Sequence, residues 1–329
     1  MDHQAGLIIA VDIGEERARM AVTDLDARIL AERVEPLALS EGPDVLLDKI
    51  TASALGMIEQ AGLAAKPVAG IGFGLPAPVD YEAGRVLGWS IMSGWDGYDI
   101  RGHLRRTWQV PILIDNDVNL LTLAEHRRYW HDQQHLLYIK AGTGVGSGMV
   151  IGGQVNRGAQ GAAGDIGHAR ISGFGDPQCR CGNRGCLESL IGGWALARDL
   201  WGGQEGVGHG ARDVIDQVRR GDSAAVGAVR TAGRVLGEAV AYATSLLNPD
   251  IIVLGGALST IGDHLMAGVR EVIYQRALPL ATRQLQIVPT RYKSRAGVAG
   301  AAYLVRDHIL HPATVDAALS SGKFPLGRL

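Results

Sequence analysis

All three cysteines of this chain lie in the eight-residue segment CRCGNRGC, residues 179–186. Cys179, Cys181 and Cys186 have the spacing C-x-C-x4-C, and the glycines between them let the backbone curl until the three sulfurs face one point. Tetrahedral zinc needs a fourth ligand, and His168 lies eleven residues before the first cysteine. The spacing therefore favours a metal site, and the alternative is three buried free thiols.

Two carboxylates lie close to this cluster in the sequence. Asp165 comes three residues before His168, and Glu188 comes two residues after Cys186. A zinc ion with four protein ligands is structural, and it leaves one ring nitrogen of the histidine available for a hydrogen bond. Such an ion would hold Asp165, His168 and Glu188 together as a rigid polar pocket. Taken alone, Glu188 is also explained as an exposed carboxylate at a helix start.

The composition narrows the classes of partner. Hydrophobic residues make up 47% of the 329 residues and charged residues 20%, as in a globular protein. Lys and Arg number 32 against 34 Asp and Glu, for a formal net charge of -2. Nothing here indicates a nucleic-acid or membrane surface, and no apolar run resembles a membrane span or a signal peptide. With its cysteines in a metal-type cluster, the chain is expected to be cytoplasmic.

The elements that must position these residues occur in two similar halves. Residues 7–14 predict a buried strand that ends at a Gly turn, followed by two strands of a meander, a helix over 43–62 and two buried strands. Residues 135–153 again predict strand, Gly-rich turn and strand, and a long helix closed by Asn248-Pro249 follows. The last helix is predicted over 296–310. Two such halves predict two related α/β domains around a ligand-binding cleft.

The quoted segments together resemble the ROK family of sugar kinases and sugar-responsive repressors. The matching pieces, in the family's order, are VDIG, GLPAPVD, DNDVN, AGTGVGSG, GAAGDIGHARI and CRCGNRGCLE. The GH pair followed by CxCGxxGCxE is highly specific, whereas the Gly-rich loops alone are weak signals. The resemblance implies an α/β fold of the two-domain actin/hexokinase type, ribonuclease H-like, with an inserted structural zinc motif at 168–186. The expected domains are a smaller lobe, 1–117 plus about 302–329, and a larger lobe, 118–301.

The resemblance also implies roles for individual residues. The zinc ligands would be His168, Cys179, Cys181 and Cys186. The sugar-binding residues would be Asn116, Asp117, Asp165, His168 and Glu188, with Asp117 as the catalytic base of a kinase. Nucleotide contacts would come from Asp12, Gly14, Gly142, Thr143, Gly144, Gly146, Gly255 and Gly256. Asp165 replaces the family's more usual Glu, so its carboxylate reaches one methylene less far.

Asp117 has a second interpretation. A sugar hydroxyl is a poor nucleophile, and a nearby carboxylate can accept its proton as the phosphoryl group arrives. Outside the family pattern, an Asp that closes a strand is explained as the cap of a helix starting near Asn119.

The first Gly loop departs from the pattern of ROK kinases. Those kinases read D-x-G-G-T, whereas this chain reads D-I-G-E-E over residues 12–16. Losing the second glycine restricts the turn, and the two carboxylates repel a triphosphate. A like-charge contact at ~4 Å costs about 1 kcal/mol in water and more in a partly dry cleft. Asp12, which would position magnesium, and the second loop at 142–148 are retained, so the sequence indicates impaired nucleotide use.

Two functions remain open at this point. The first is a sugar sensor of the family's repressor branch, which binds a hexose or N-acetyl amino sugar between the lobes with impaired or lost phosphotransfer. The segment GWDGYDI, residues 94–100, and Asp165 fit that branch. The second is an active hexose or amino-sugar kinase that uses ATP and Mg²⁺, with Asp117 as base. Zinc is expected in both.

A DNA-binding segment before the domain would help to distinguish a repressor from a kinase. Repressors of the family carry an N-terminal helix-turn-helix, whereas the strand VDIG here begins almost at once. The chain as given is therefore expected not to bind nucleic acid itself, and to be either a solitary effector domain or part of a longer protein. A homodimer or homotetramer is expected from the family.

Overall fold

The computed structural model describes residues 5–87, 92, 94–202 and 209–321. Within those residues, no helix has the length and hydropathy that crossing a bilayer requires. The chain packs into two compact units. Unit 1 comprises the described residues of 1–128, 157–162 and 292–329, and unit 2 comprises those of 129–156 and 163–291.

The predicted strands and helices are found in their predicted order, with further short elements between them. The prediction that 296–310 is the last helix is wrong, because another helix, Pro312–Ser321, follows it. The strands are β1 (Leu7–Ile13), β2 (Arg17–Thr23), β3 (Ile29–Pro36), β4 (Val68–Leu75), β5 (Val79–Asp80), β6 (Arg85–Val86), β7 (Ile112–Asn116), β8 (Leu136–Ala141), β9 (Val145–Ile151), β10 (Gln154–Asn156), β11 (Ile251–Gly255) and β12 (Gln286–Pro289). The helices are α1 (Pro43–Gln60), α2 (Ile100–Leu104), α3 (Asp117–Tyr129), α4 (Leu187–Ile191), α5 (Gly193–Trp201), α6 (Ala211–Arg219), α7 (Ser223–Leu247), α8 (Asp263–Arg276), α9 (Pro279–Thr282), α10 (Ala296–Ile309) and α11 (Pro312–Ser321).

The main sheet of unit 1 has five strands in the order β3-β2-β1-β4-β7. The meander pairs β1, β2 and β3 antiparallel, whereas β1, β4 and β7 run parallel. Helix α10 packs closely on β1 and β4. A Cβ atom on Gly72 would lie only 2.3 Å from the carbonyl oxygen of Ala301, so the sheet needs a glycine at this contact.

The main sheet of unit 2 repeats this arrangement with the order β10-β9-β8-β11-β12. Strands β8, β9 and β10 form the antiparallel meander, and β8, β11 and β12 run parallel. The apolar face of α7 is buried, as its spacing predicts, and the helix ends where Asn248 adopts a left-handed conformation (φ 43°). Two mixed α/β sheets of one topology confirm the predicted fold class.

The two units differ from the predicted lobes in three segments. Residues 118–128, 157–162 and 292–301 belong to unit 1, whereas the sequence-based boundaries give them to the second lobe. Packing explains two of them, because α3 and α10 touch directly. A Cβ on Gly300 of α10 would lie 2.0 Å from the carbonyl oxygen of Leu120 in α3.

Candidate functional site

A tight loop of unit 2 carries the three cysteines. Gly182 and Gly185 have φ angles of 90° and 70°, in the left-handed region that glycine adopts without strain. The main chain closes on itself, since the Cys179 amide donates to the Asn183 carbonyl at 2.8 Å. The predicted role of the glycines in curling this loop is therefore confirmed.

The loop brings four ligand atoms together. Cys179 Sγ lies 3.6 Å from His168 Nδ1, and Cys181 Sγ lies 3.7 Å from Cys186 Sγ. One ligand atom from each of the four residues falls within 4.8 Å of all the others. Sulfurs bound tetrahedrally to zinc at ~2.3 Å stand about 3.7 Å apart, so the Cys3His cluster fits zinc in both donor type and spacing.

Burial and hydrogen bonds together set the pKa of each thiol. Burial raises the pKa of Cys186 to about 12, and burial also raises the pKa of Cys179. Burial acts in the same direction on Cys181, but hydrogen bonds from the Asn183 backbone and the neighbouring thiols outweigh it and lower its pKa. A divalent cation at this point would favour the thiolate form of all three.

The polar residues predicted beside the cluster lie on the backbone segments that flank it. Asp165 directly precedes a 3₁₀ turn, 166–168, and its side chain and that of His168 are exposed. The Leu187 amide donates to the Ala169 carbonyl at 2.9 Å. This bond joins the residue after His168 to the residue before Glu188.

Glu188 is held by two donors that the sequence did not reveal. Its Oε2 accepts from the Val145 amide at 3.0 Å, and its Oε1 accepts from Trp194 Nε1 at 3.3 Å. The side chain is half-buried. Glu188 does lie in the first turn of α4, as the alternative predicts, but it is not exposed, and it closes the end of the second Gly loop.

That second loop, at the β8–β9 hairpin, packs closely against the elements around it. The Gly193 amide, at the start of α5, donates to the Gly142 carbonyl at 2.8 Å. A Cβ on Gly144 would lie 2.5 Å from Glu188 Oε2. Gly256, with φ 86°, lies against the backbone of Ala141. The structure thus brings together the predicted nucleotide residues of unit 2.

The first Gly loop, at the β1–β2 hairpin, has a different surface. The Gly14 amide donates to the Arg17 carbonyl at 2.9 Å and closes a hairpin with Glu15 and Glu16 at its tip. Both glutamates are exposed. Asp12 is half-buried on β1, next to Gly297 at the start of α10, where a Cβ would lie 2.1 Å from its carboxylate.

Asn116 and Asp117 form the corner between β7 and α3. Asn116 Oδ1 accepts from the amides of Val118 (2.8 Å) and Asn119 (3.3 Å). Asn116 Nδ2 donates to the Ala77 carbonyl at 3.1 Å. The helix begins at Asp117, two residues before Asn119, so the interpretation of Asp117 as its cap is wrong. Asn116 holds the capping position because its amide oxygen reaches the first free N–H groups.

An ion pair behind this corner was missed by the sequence analysis. Asp115 is 2% exposed, and its Oδ2 accepts from Arg157 Nε (2.8 Å) and Nη2 (2.6 Å). The guanidinium lies 4.0 Å from the ring centroid of Tyr81. The first Asp of DNDVN was a visible signal, but nothing in the sequence connected it to an arginine 42 residues away.

The segment 94–100 serves packing within unit 1. Tyr98 donates to Asp44 at 2.6 Å and shares a hydrogen bond with His103 Nδ1 at 2.8 Å. His103 Nε2 lies 2.8 Å from Asp48. Burial, with the hydrogen bond to Asp44, raises the pKa of Tyr98 to about 12. These contacts join α1 to α2.

Two mixed sheets of one topology, a Cys3His cluster and a polar strand–helix corner define the class: an actin/hexokinase-like sugar kinase or repressor fold. The chain matches the ROK family over residues 8–308, and it belongs to that family.

Relatives of both functional kinds are similar to it. A proposed xylose repressor of Caldicellulosiruptor sp. (strain Rt8B.4) is 30% identical over 326 residues, which cover 94% of this chain and 80% of the relative. A glucokinase of Halalkalibacterium halodurans is 28% identical over 315 residues, covering 91% and 94%. The crystal structure of a ROK glucokinase from Streptomyces griseus, in complex with glucose and AMPPNP, superposes with a TM-score of 0.77 at 26% identity, covering 92% and 100%.

Proposed function

We propose that the protein is a sugar-sensing member of the ROK family. It would bind a hexose or N-acetyl amino sugar, with phosphotransfer from ATP impaired or lost. The sugar-binding residues in this proposal are Asn116, Asp117, Asp165, His168 and Glu188. Support for it comes from the family, from the relatives named as repressors, and from one feature of the first hairpin.

That feature is the pair of glutamates at the tip of the β1–β2 hairpin. Glu15 and Glu16 are exposed where the family's kinases have Gly and Thr. A triphosphate beside this tip would meet two negative charges, with only Arg17 adjacent in sequence to offset them. Each like-charge contact at ~4 Å costs about 1 kcal/mol even in water. The acidic hairpin tip therefore supports a protein that binds sugar but uses ATP inefficiently.

The chemistry of the sugar residues suits hydroxyl recognition. Carboxylates accept hydrogen bonds from hydroxyl groups, and an imidazole either donates or accepts. Nδ1 of His168 faces Cys179, so Nε2, on the other side of the ring, is the atom proposed to contact the sugar. The shorter Asp165 would reach a different hydroxyl position from the family's usual Glu, which bears on which sugar is bound.

Zinc at the Cys3His cluster is part of the same proposal. His168, Cys179, Cys181 and Cys186 would hold it with four protein ligands, so its role would be structural. When bound, the ion supplies positive charge that keeps the thiolates deprotonated and orients the His168 ring. ATP and Mg²⁺ would bind only in the kinase alternative, with Asp12 near the metal.

Calorimetry tests the proposal. The purified protein is titrated with glucose, xylose, N-acetylglucosamine, N-acetylmannosamine, fructose and allose, each with and without AMPPNP and Mg²⁺. We expect at least one sugar to bind and AMPPNP to bind weakly or not at all. Xylose, a pentose, belongs in the panel because of the repressor relatives, and binding of xylose alone would contradict the hexose or amino-sugar assignment. Tight binding of AMPPNP, or no binding of any sugar, would contradict the proposal.

A kinase is the second candidate, and two observations favour it. The second Gly loop is intact, and Asp117 is 8% exposed at the start of α3, where a base would be needed. Release of ADP with each sugar, ATP and Mg²⁺ tests this alternative. Sugar-dependent turnover at about 1 s⁻¹ or more would establish a kinase and remove the sensor-only interpretation.

A homo-oligomer also belongs to the proposal. Large apolar side chains are exposed on and just after α7 and α8, namely Tyr242 (69%), Leu246 (85%), Tyr274 (55%), Leu278 (73%) and Leu280 (78%). Exposed apolar surface of this kind supports self-association. Light scattering coupled to gel filtration would show a dimer or tetramer, and a monomer at all concentrations would contradict it.

A further inference from the structure

A short segment leaves unit 2 and packs with unit 1. Residues 157–162, which we call the strap, belong to unit 1, whereas the chain on both sides of them belongs to unit 2. Gly161 has φ 81°, and a Cβ there would lie 2.0 Å from the Val79 carbonyl oxygen. The strap is thus seated closely on unit 1, and its first residue is Arg157.

Arg157 neutralises a buried carboxylate. Asp115 is 2% exposed on its side chain and Arg157 is 21% exposed. Both guanidinium contacts go to Asp115 Oδ2, and the flat face of the group lies over Tyr81. A buried charge that loses its partner is strongly destabilised. The position of Asp115 therefore depends on Arg157.

The other oxygen of Asp115 holds the strand–helix corner. Oδ1 accepts from the Asn116 amide at 2.8 Å and from Asn119 Nδ2 at 2.9 Å. The Asn116 side chain in turn caps α3, which begins at Asp117. A continuous chain of contacts therefore runs from the strap to the two residues proposed to bind sugar.

We infer that Arg157 is a positioning residue for the sugar site. It fixes Asp115, and Asp115 fixes the orientation of Asn116 and the start of α3. The inference rests on the proposed function for its effect on sugar binding. An arginine suits this place because its planar group directs two donors to one carboxylate oxygen and also stacks on a ring, which lysine cannot reproduce.

A double-mutant cycle tests the inference by calorimetry with the best sugar of the panel. Arg157→Gln and Asp115→Asn should each weaken sugar binding by about tenfold, because each breaks the same buried link. The sugar affinity of the double variant should lie within about twofold of the lower of the two single-variant affinities. Arg157→Lys should recover part of the affinity. Unchanged affinity in the single variants, or fully additive losses that indicate direct sugar contact by Arg157, would overturn the inference.

Arg127→Gln is the matched control. Arg127 Nε binds Asp307 at 2.7 Å, and its side chain is 22% exposed, so a similar ion pair of unit 1 is lost. Sugar affinity should stay within about twofold of wild type, since Arg127 lies in the last turn of α3, at the opposite end from the corner at Asn116. Where Arg157→Gln does not fold, Asp115→Asn carries the test, because it removes the buried charge itself.

Amide hydrogen exchange separates a failed inference from a failed function. Arg157→Gln should speed exchange of the Asn116 and Val118 amides, and Arg127→Gln should not. If wild type binds no sugar but this exchange pattern holds, the proposed function is wrong and the positioning role stands. If wild type binds sugar and exchange at the corner is unchanged, the positioning role is wrong.

Discussion

Units 1 and 2 each contain a five-stranded sheet of the same topology. In each sheet a tight hairpin joins the first strand of the meander to the second. In unit 1 the hairpin tip is Glu15-Glu16, exposed and acidic. In unit 2 the corresponding hairpin contains Gly142 and Gly144, which are packed against α4 and α5. One topology therefore carries an exposed acidic tip in one unit and closely packed glycines in the other. The proposed function attributes weak use of ATP to the acidic tip.

The units also differ in how they hold the proposed sugar residues. In unit 1 the corner at Asn116 is held by hydrogen bonds and the Asp115–Arg157 ion pair. In unit 2 His168 belongs to a cluster of three thiols. Metal removal should therefore affect the sugar residues of unit 2 and leave the corner of unit 1 in place, and this contrast can be tested.

The largest effect is expected from Cys181→Ala. Zinc with three protein ligands left is held much more weakly, and loss of the ion would release His168 and the start of α4 together. Sugar affinity should fall by about 100-fold or more. Elemental analysis of the purified protein measures the metal, and calorimetry measures the sugar.

Asp176→Asn is the control for this variant. Asp176 lies in the same loop and makes ion pairs with Arg170 and Arg184 at 3.3 and 3.4 Å, and all three side chains are exposed. Zinc content and sugar affinity should be unchanged. A metal-free wild type that binds sugar fully would remove the metal from the account of unit 2.

The next largest effect is expected when the acidic tip is converted to the kinase pattern. Glu15→Gly combined with Glu16→Thr removes two like-charge contacts of about 1 kcal/mol each, so AMPPNP affinity should rise about tenfold or more. Calorimetry with Mg²⁺ present measures it. Asp26→Asn, at the exposed turn of the neighbouring β2–β3 hairpin, is the control and should leave AMPPNP affinity unchanged. Equal nucleotide affinity in wild type and the double variant would show that the tip is not what distinguishes the units.

Local patterns were enough to predict the main elements and the Cys3His cluster. The predicted bounds of α1 (43–62) and α10 (296–310) agree with the structure to within two residues, and α7 ends at Asn248 as predicted. The spacing of the cysteines predicted their convergence, since the ligands lie close together along the chain. Such patterns can be read from one sequence because they depend only on residues that are close along the chain.

Contacts between distant segments could not be predicted in this way. Arg157 meets Asp115 across 42 residues, and Val145 meets Glu188 across 43. Either polar side chain at the β7–α3 corner has the chemistry to cap a helix, so sequence alone did not identify Asn116 as the capping residue. The packing of whole elements decides these pairings, and one sequence gives no measure of it.

A smaller effect is expected from Gly144→Ala. The new Cβ would lie 2.5 Å from Glu188 Oε2, and a flexible carboxylate can move aside at little cost to stability. Sugar affinity should fall about fivefold because Glu188 is displaced, while the melting temperature changes little. Gly227→Ala, with nothing within 4 Å of its Cβ in α7, should leave affinity unchanged and stabilise the helix slightly. Wild-type affinity in Gly144→Ala would show that Glu188 does not contact sugar.

The smallest effect on sugar affinity is expected from Asp117→Asn. An amide has the size of the carboxylate and still accepts a hydrogen bond, so binding should weaken by only about threefold. The corner itself should persist, because Asn116 caps α3 and Asp115 holds the Asn116 amide. Calorimetry measures the affinity, and ADP release in the background of the converted hairpin measures the chemistry. There the same substitution should abolish any phosphotransfer, since no base would accept the hydroxyl proton. Turnover that persists would show that Asp117 is not the base, and a large loss of sugar affinity would show that its charge serves binding.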